Sequence, residues 1–212
     1  MSEPIYPPFL NDTFSRPLPA DPIGLFMEWH EQAKDQADIR NPDAMCVSTI
    51  DKAGAPDARM VLLKGIDHRG FVFYTNIHSV KAKSLTKTPL AALTFYWEKL
   101  GKQVRVKGSV EQVSEQEADT YFSTRPRPSR IGAWASEQSS VLEDPSVLED
   151  RIVQIEEQFK DRDVPRPDFW SGYRIIPYTI EFWLERPHRL HERLVFERLG
   201  SNGDWSHHWL CP

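Results

Sequence analysis

From Ala44 onward, hydrophobic and polar positions divide the chain into short, strand-like runs. AMCVSTI (44–50) is followed by a turn at DKAGAP, then DARMVLLKGI (57–66), a second turn at DHRG and FVFYT (71–75). Gly54 and Gly70 in the short connections predict hairpins, so these strands should be antiparallel neighbours. LAALTFYW and KQVRVKGSVEQV follow. In the latter, Val104, Val106 and Val110 alternate with Gln103, Arg105 and Lys107, which makes one face apolar and the other polar. GYRII, YTIEFWLE, LHERLVFERL and DWSHHWL complete the strands.

Helical spacing appears between them. Asp21-Pro22 predicts a helix start, with Asp as N-cap and Pro at the first helical position. Ile23, Phe26, Met27, Trp29, Ala33 and Ala37 form its apolar stripe. His78 to Thr88 predicts a short helix ended by Pro89. Ser114 to Thr124 predicts another, carrying the capping box Ser114-x-x-Glu117. Asp144-Pro145 opens a fourth, running to about Lys160 with Val147, Leu148, Ile152, Ile155 and Phe159 inward. About eight strands and four helices on short connections predict a mainly β protein, an antiparallel barrel with peripheral helices. Residues 1–20 hold five prolines and no periodicity, and read as a flexible N-terminal arm. That leaves 21–212 as a single domain.

Composition narrows the function more than the fold. A net charge of -5 argues against nucleic acid as the main partner, which needs a basic face. Local basic clusters in an acidic chain point instead to a small anionic ligand. Cys46 and Cys211 lie far apart, with no zinc spacing, disulfide framework or CxxC pair. His207 and His208 are adjacent on a strand and so face opposite ways, which gives no shared metal. No apolar run approaches the ~20 residues needed to span a bilayer. MSEPIYPPFL lacks a basic n-region and a signal-type core, so the expected location is cytoplasmic. There is no GxGxxG, P-loop or GxSxG.

Candidate chemistry lies elsewhere. In YFSTRPRPSRIGAWASEQSS (121–140), Arg125, Arg127 and Arg130 fall within six residues, with no acid before Glu137. Pro126 and Pro128 stiffen the segment, which reads as a rigid loop between two helices. Its guanidiniums, with Ser123, Thr124 and Ser129, suit a small phosphate ester; a solvated basic surface is the competing reading. RMVLLK (59–64) sets two cations at the ends of an apolar segment. Period two puts Arg59 and Lys64 on opposite faces, so they serve two anions or one is a surface charge. Tyr74-Thr75 with Ser79 and Lys81 forms a strand-to-helix corner whose donors suit a further phosphate. Arg189, His191 and Arg193 share one strand face by period two. That row is either an exposed edge or an anion site where flanking arginines keep His191 neutral.

These pieces, in this order, resemble the pyridoxine (pyridoxamine) 5'-phosphate oxidase family. The matching stretches are LPADP, AM-C-V-S-T, RMVLLKG, FVFYTN, FYWEKLGKQVRVKG, YFSTRPRPSRIGAWAS-QSS, EFW and RLHER, and the resemblance covers nearly everything from Leu18 to Pro212. The resemblance implies an antiparallel FMN-binding split β-barrel, acting as a homodimer with each flavin at the subunit interface. It implies oxidation of pyridoxine 5'-phosphate and pyridoxamine 5'-phosphate to pyridoxal 5'-phosphate. Hydride would pass from C4' to flavin N5, and O2 would reoxidise the flavin, yielding hydrogen peroxide.

Carried over by position, Arg59, Met60, Val61, Leu62, Leu63 and Lys64 look like flavin contacts. So do Tyr74, Thr75, Lys81, Gln103, Gln138, Ser139, Trp183 and Arg193. Lys64, Tyr121, Arg125 and Ser129 look like the substrate-phosphate pocket. Arg189, Leu190 and His191 look like the residues over the pyridine ring, with Arg189 and His191 as the catalytic pair. Two phosphates, one per molecule, would account for two cationic clusters. Arg127 and Arg130 then become scaffold or interface charges.

The chain departs from the family pattern in places. Val80-Lys81 stands where the family often has Arg-Lys, so one flavin-phosphate cation is missing. Leu184-Glu185 replaces the usual Gln-Gly, and RLHER replaces the commoner RLHDR. Tyr6 and Arg16 do not match the spacing of an arm that closes over substrate. Two other readings remain: a related flavin oxidase of phenazine-type biosynthesis, and a non-catalytic module that binds FMN or pyridoxal phosphate.

Overall fold

The computed structural model describes residues 14, 17–200 and 203–212. In chain order the described elements are α1 (Pro22–Asp35), β1 (Ala44–Ile50), β2 (Pro56–Leu62), β3 (Gly65–Asp67), β4 (Gly70–Asn76), α2 (Val80–Lys87) and β5 (Leu90–Trp97). Then come β6 (Lys102–Gln112), α3 (Glu115–Thr124), α4 (Arg127–Ala135), α5 (Pro145–Gln158), β7 (Trp170–Leu184), β8 (Glu192–Glu197) and β9 (Ser206–Leu210). Most of the N-terminal arm expected over residues 1–20 lies outside the described residues. Phe14 is buried, its ring 5.5 Å from Trp29 and 5.3 Å from Trp209.

One antiparallel sheet runs β2-β1-β5-β6-β7-β4-β3, with β8 and β9 branching from β7. The branch arises because β7 is long. Its first half, Trp170–Ile175, pairs with β4, and Thr179–Leu184 pairs with β8 on the same edge. Gly108 sits opposite Pro177 at a bulge where the β6–β7 register shifts. Pro177 has no N–H to give the ladder, and a Cβ at Gly108 would lie 2.4 Å from the Ile176 carbonyl oxygen.

The two ends of the strand path, β2 and β3, are joined by only Leu63 and Lys64. The sheet must therefore roll up until its ends meet. Lys64 N–H donates to the Val72 carbonyl of β4 at 2.8 Å, and Leu63 N–H to the Asp43 carbonyl at 2.9 Å. No ladder joins β2 to β3, so the result is the expected antiparallel split barrel. α1 packs on its interior, where Phe26 is fully buried with its ring 4.8 Å from both Phe71 and Phe95. Burying such a ring contributes about 2–3 kcal/mol.

Helix caps follow the sequence. Asp21 accepts from the amides of Ile23 and Gly24, and Ser114 and Glu117 form the full capping box. Four expectations need correction. Met27 is 46% exposed, and α1 ends before Ala37; Leu25 and His30 turn inward instead, because the buried stripe is centred one residue away. DARMVLLKGI is not one strand: it breaks at Leu63-Lys64, where the barrel closes. In α5, Ile152 and Ile155 pack partly against Phe159, but Val147 is exposed. The arginine segment is a helix, α4, rather than a loop. Its prolines sit at the N-cap and within the first turn, where a missing N–H costs nothing.

No described helix is long and apolar enough to cross a membrane. Among the described residues no group of His, Cys, Asp and Glu could hold a metal ion.

Candidate active site

A cavity of about 810 Å³ opens between β2, the end of β4, the start of α2 and the α3–α4 corner. Arg59, Met60, Val61, Leu62 and Lys64 form one wall. Tyr74, Thr75 and Lys81 line it from the β4–α2 corner, and Tyr121, Arg125, Ser129 and Gln138 face it from α3, α4 and the turn beyond. These twelve residues, all singled out from sequence, thus converge on one space. Arg59 and Lys64 both line it, although strict alternation would send them to opposite faces. The reason is that β2 ends at Leu62, so strand parity no longer governs Lys64. Leu63 does not join them: it is 4% exposed and belongs to the core. Ser79 is fully buried as the N-cap of α2, accepting from the Ala82 amide.

Two cations in this cavity lack an anionic partner among the described residues. Lys81 is 9% exposed, and its Nζ donates only to Thr75 Oγ1, at 3.2 Å. Burial, reinforced by the charge of Arg59 and opposed by Asp57, lowers its pKa. Thr75 Oγ1 in turn donates to Gln138 Oε1 at 2.9 Å, which ties the end of β4 to the segment after α4. Arg125 is the second. Its guanidinium lies 4.8 Å from the Trp170 ring and 5.2 Å from the Phe122 ring, with Nη1 buried and unpaired. Burial lowers its pKa as well, though a guanidinium keeps its proton. A buried donor without an acceptor is costly, so each cation marks a place for an anion. Arg59 is partly committed already, donating to Thr49 Oγ1 at 2.8 Å and pairing with Asp57.

The other arginines of α4 are structural. Arg127 donates to the carbonyls of Phe159 and Arg162, both at 2.8 Å, at the C-terminal end of α5. Arg130 pairs with Asp163 at 2.6 Å. The hydroxyls of Ser123 and Thr124 are also spent, donating to the carbonyls of Thr120 and Tyr121. Of the cluster first read as a phosphate loop, Arg125 and Ser129 remain as donors facing the cavity.

Aromatic rings hold this side of the site. Tyr74 stacks on Tyr121 at 4.1 Å and 12°, and on Trp170 at 5.2 Å and 4°. Tyr74 pairs across the ladder with Gly172, whose added Cβ would lie 2.7 Å from the Tyr74 ring. Glycine is what lets the ring lie flat there. Burial raises the phenol pKa values of Tyr74 and Tyr121, which keeps Tyr121 a hydrogen-bond donor. Trp170 and the small face of α4, with Gly132, Ala133 and Ser136, also line the cavity and were missed from sequence. Their spacing of three and four from Ser129 would have revealed that face had a helix been predicted.

The remaining candidates form a second cluster. Gln103, Trp183 and Arg193 are cross-strand neighbours on β6, β7 and β8. The Trp183 and His191 rings are 4.5 Å apart. Arg193 Nε donates to Glu181 at 2.8 Å. The predicted strand row Arg189, His191 and Arg193 does not exist. Only Arg193 is in β8, while Arg189 sits in a 3-10 turn, Pro187–Arg189, with φ at +63°. Pro187 and the left-handed residues His188 and Arg189 break the extended geometry that period two requires. Arg189 and Leu190 are exposed. The Arg186 backbone N–H donates to His191 Nδ1 at 3.2 Å, so a neutral His191 carries its proton on Nε2. Ser139 is exposed with φ at +74° and does not line the cavity.

β1, β5 and β6 separate β2 from β7, roughly 19 Å along the sheet at ~4.8 Å per strand. The row Met60, Cys46, Thr94, Arg105 and Glu181 crosses that interval on the barrel's outer face. This face leaves Met60 64%, Tyr96 56% and Leu62 42% exposed, a contiguous apolar surface of the kind that meets a partner.

Known proteins resemble this chain along nearly its whole length. The family profile described as pyridoxamine 5'-phosphate oxidase matches residues 31–159. A second, the pyridoxine 5'-phosphate oxidase C-terminal dimerisation region, matches residues 170–212. A pyridoxine/pyridoxamine 5'-phosphate oxidase of Caulobacter vibrioides is 52% identical over 206 residues, covering 97% of this chain and 88% of its own. One from Azorhizobium caulinodans is 51% identical over 192 residues, covering 91% and 90%. Among solved structures, PhzG from Burkholderia lata 383, in complex with tetrahydrophenazine-1-carboxylic acid, is 32% identical with a TM-score of 0.88, covering 96% of this chain and 99% of that one. A pyridoxamine 5'-phosphate oxidase-related, FMN-binding protein from Nostoc punctiforme shares the fold at 14% identity and a TM-score of 0.71.

Proposed function

The chain belongs to the pyridoxamine 5'-phosphate oxidase family, and on that premise we propose that it oxidises pyridoxine 5'-phosphate and pyridoxamine 5'-phosphate to pyridoxal 5'-phosphate. The observation that carries this reading is two cations without counter-ions in one cavity, buried Lys81 and half-buried Arg125 with its Nη1 enclosed. A phosphorylated cofactor and a phosphorylated substrate bound together would satisfy both. Residues 21–212 act as one domain in this reading.

FMN fits the Lys81 side. Lys81 and Arg59 would hold its phosphate, with Thr75 and Gln138 beside it, and the β2 segment Met60 to Leu62 would flank the ring system. When bound, FMN supplies the two-electron acceptor for the substrate's C4' carbon and is restored by dioxygen, with release of hydrogen peroxide. Lys64, Tyr121, Arg125 and Ser129 would grip the substrate phosphate and fix the position of C4'. The amine substrate consumes one water and releases ammonia; the alcohol substrate needs neither.

The second cluster completes the site from a partner copy. Trp183, Arg189, His191 and Arg193 all lie within the matched dimerisation region. A two-fold axis through the outer face would bring β2 of one protomer against β7 and β8 of its partner. The partner's cluster would then cover the flavin, and its Arg189 and His191 would reach the substrate ring. With Nδ1 accepting from the Arg186 amide, His191 presents Nε2–H as a donor to a ring substituent. Arg189 orients the C4' substituent.

Purified protein loaded with FMN should convert both phosphate esters to the aldehyde with equimolar oxygen uptake. Tight flavin binding without turnover of either ester would refute the assignment. The same assay discriminates the phenazine-type reading: a carboxylated ring would also pair with Arg125, so turnover of the two phosphate esters decides between them.

A further inference from the structure

Lys64 is held from behind. Its Nζ lies 3.3 Å from Asp43 Oδ2, and Asp43 Oδ1 lies 3.0 Å from His30 Nε2. His30 is 6% exposed on the inner face of α1, its ring stacked on Trp97 at 6.1 Å and near Phe26 at 5.6 Å. The segment carrying Asp43 is fixed by three further bonds. Trp97 Nε1 donates to the Pro42 carbonyl at 2.9 Å, Ala44 N–H to the Asn41 carbonyl at 3.0 Å, and Leu63 N–H to the Asp43 carbonyl at 2.9 Å. Asp43 and Lys64 are thus locked to each other where the barrel closes, through both backbone and side chains.

We propose that Asp43, braced by His30, is a positioning residue that presents the Lys64 ammonium to the substrate phosphate. The inference rests on the reading of this cavity given above. A lysine side chain loses rotamer freedom when it is fixed. Holding it beforehand moves that cost out of the binding step. An ammonium has three donors, so one bond to Asp43 leaves two for a phosphate. His30 contributes by staying neutral. Burial, with Lys34 nearby, lowers its pKa, so it donates to Asp43 without cancelling the carboxylate's charge. Among the described residues, Glu31 and Lys34 on its own helix and Asp43 from the facing segment are the charges that act on this imidazole.

The test measures the dissociation constant of pyridoxal 5'-phosphate on the FMN-loaded protein, with KM and kcat for pyridoxine 5'-phosphate alongside. Asp43→Ala and the isosteric Asp43→Asn should weaken binding about five- to tenfold, raising KM while kcat changes by less than about twofold. Asp43→Glu should recover much of the loss. In a Lys64→Ala background, Asp43→Asn should have no further effect, since its only route to the ligand is through Lys64. Equal or tighter binding by both Asp43 variants, or full additivity with Lys64→Ala, would overturn the inference. Failure of the wild-type protein to bind pyridoxal 5'-phosphate at all would instead overturn the reading of the cavity, and this inference with it.

Discussion

Glu181 accepts a hydrogen bond from Nε of Arg193 at 2.8 Å while only 8% exposed, and its second oxygen accepts from Nη1 of Arg105 at 3.0 Å. One buried carboxylate thereby holds two arginines on the outer face, and one of them is a proposed flavin contact. Replacing it with glutamine turns an NH2 group toward one guanidinium. Glu181→Gln should cost about 1–3 kcal/mol of stability and weaken FMN binding roughly tenfold. Flavin fluorescence titration of the apoprotein reads the second effect. Wild-type FMN affinity in this variant would separate Arg193 from the flavin.

Arg125→Ala removes the guanidinium that lies against both the Trp170 and the Phe122 rings. The expected result is a rise in KM for the phosphate esters of at least about tenfold, with FMN content unchanged. Loss of flavin on purification would mean that Arg125 serves the cofactor phosphate instead.

Gly172→Ala places a methyl group 2.7 Å from the Tyr74 ring. The ring must tilt, and the stack on Tyr121 and Trp170 must loosen. Substrate KM should rise several-fold and Tm should fall by a few degrees. Both parameters unchanged would show that the rings adjust without consequence to the site.

Val80 opens α2, 48% exposed beside Lys81. Val80→Arg should restore a cation near the flavin phosphate and tighten FMN binding several-fold. The gain should shrink in high salt, because the new charge is solvent-facing. An unchanged dissociation constant would show that another group already supplies that charge.

His30 gives the protein a dependence on mild acid. Burial holds its folded-state pKa below the ordinary 6.5. As pH falls, the unfolded chain therefore takes up the proton first. The stabilisation from His30 is present above pH 6.5 and is lost as pH falls through the folded value. Thermal melts from about pH 7.5 to about pH 5.5 should show Tm falling, with a shallower slope in His30→Gln. Parallel slopes would assign the acid sensitivity to other groups.

Local signals in the sequence were read correctly where the physics is local. The caps at Asp21 and Ser114 concern a side chain and amides two or three residues away, so residue type and spacing suffice. The alternation in β6 reflects one buried and one outward face, and it survives folding unchanged up to the bulge at Gly108.

The sequence by itself determined where most of the strands lie, the caps, the chemical types in the site and the family resemblance, because each resides in neighbouring residues or in an ordered set of motifs. Tertiary structure decided which of those residues meet. Arg125 faces the cavity while Arg127 and Arg130 turn to α5 and the loop after it, since α4 forms and its faces look different ways. Arg59 and Lys64 share a cavity because barrel closure ends β2 between them. Arg189 and His191 leave the strand because a left-handed turn intervenes. Periodicity describes a continuous element, and it carries no information past the point where packing or closure breaks that element.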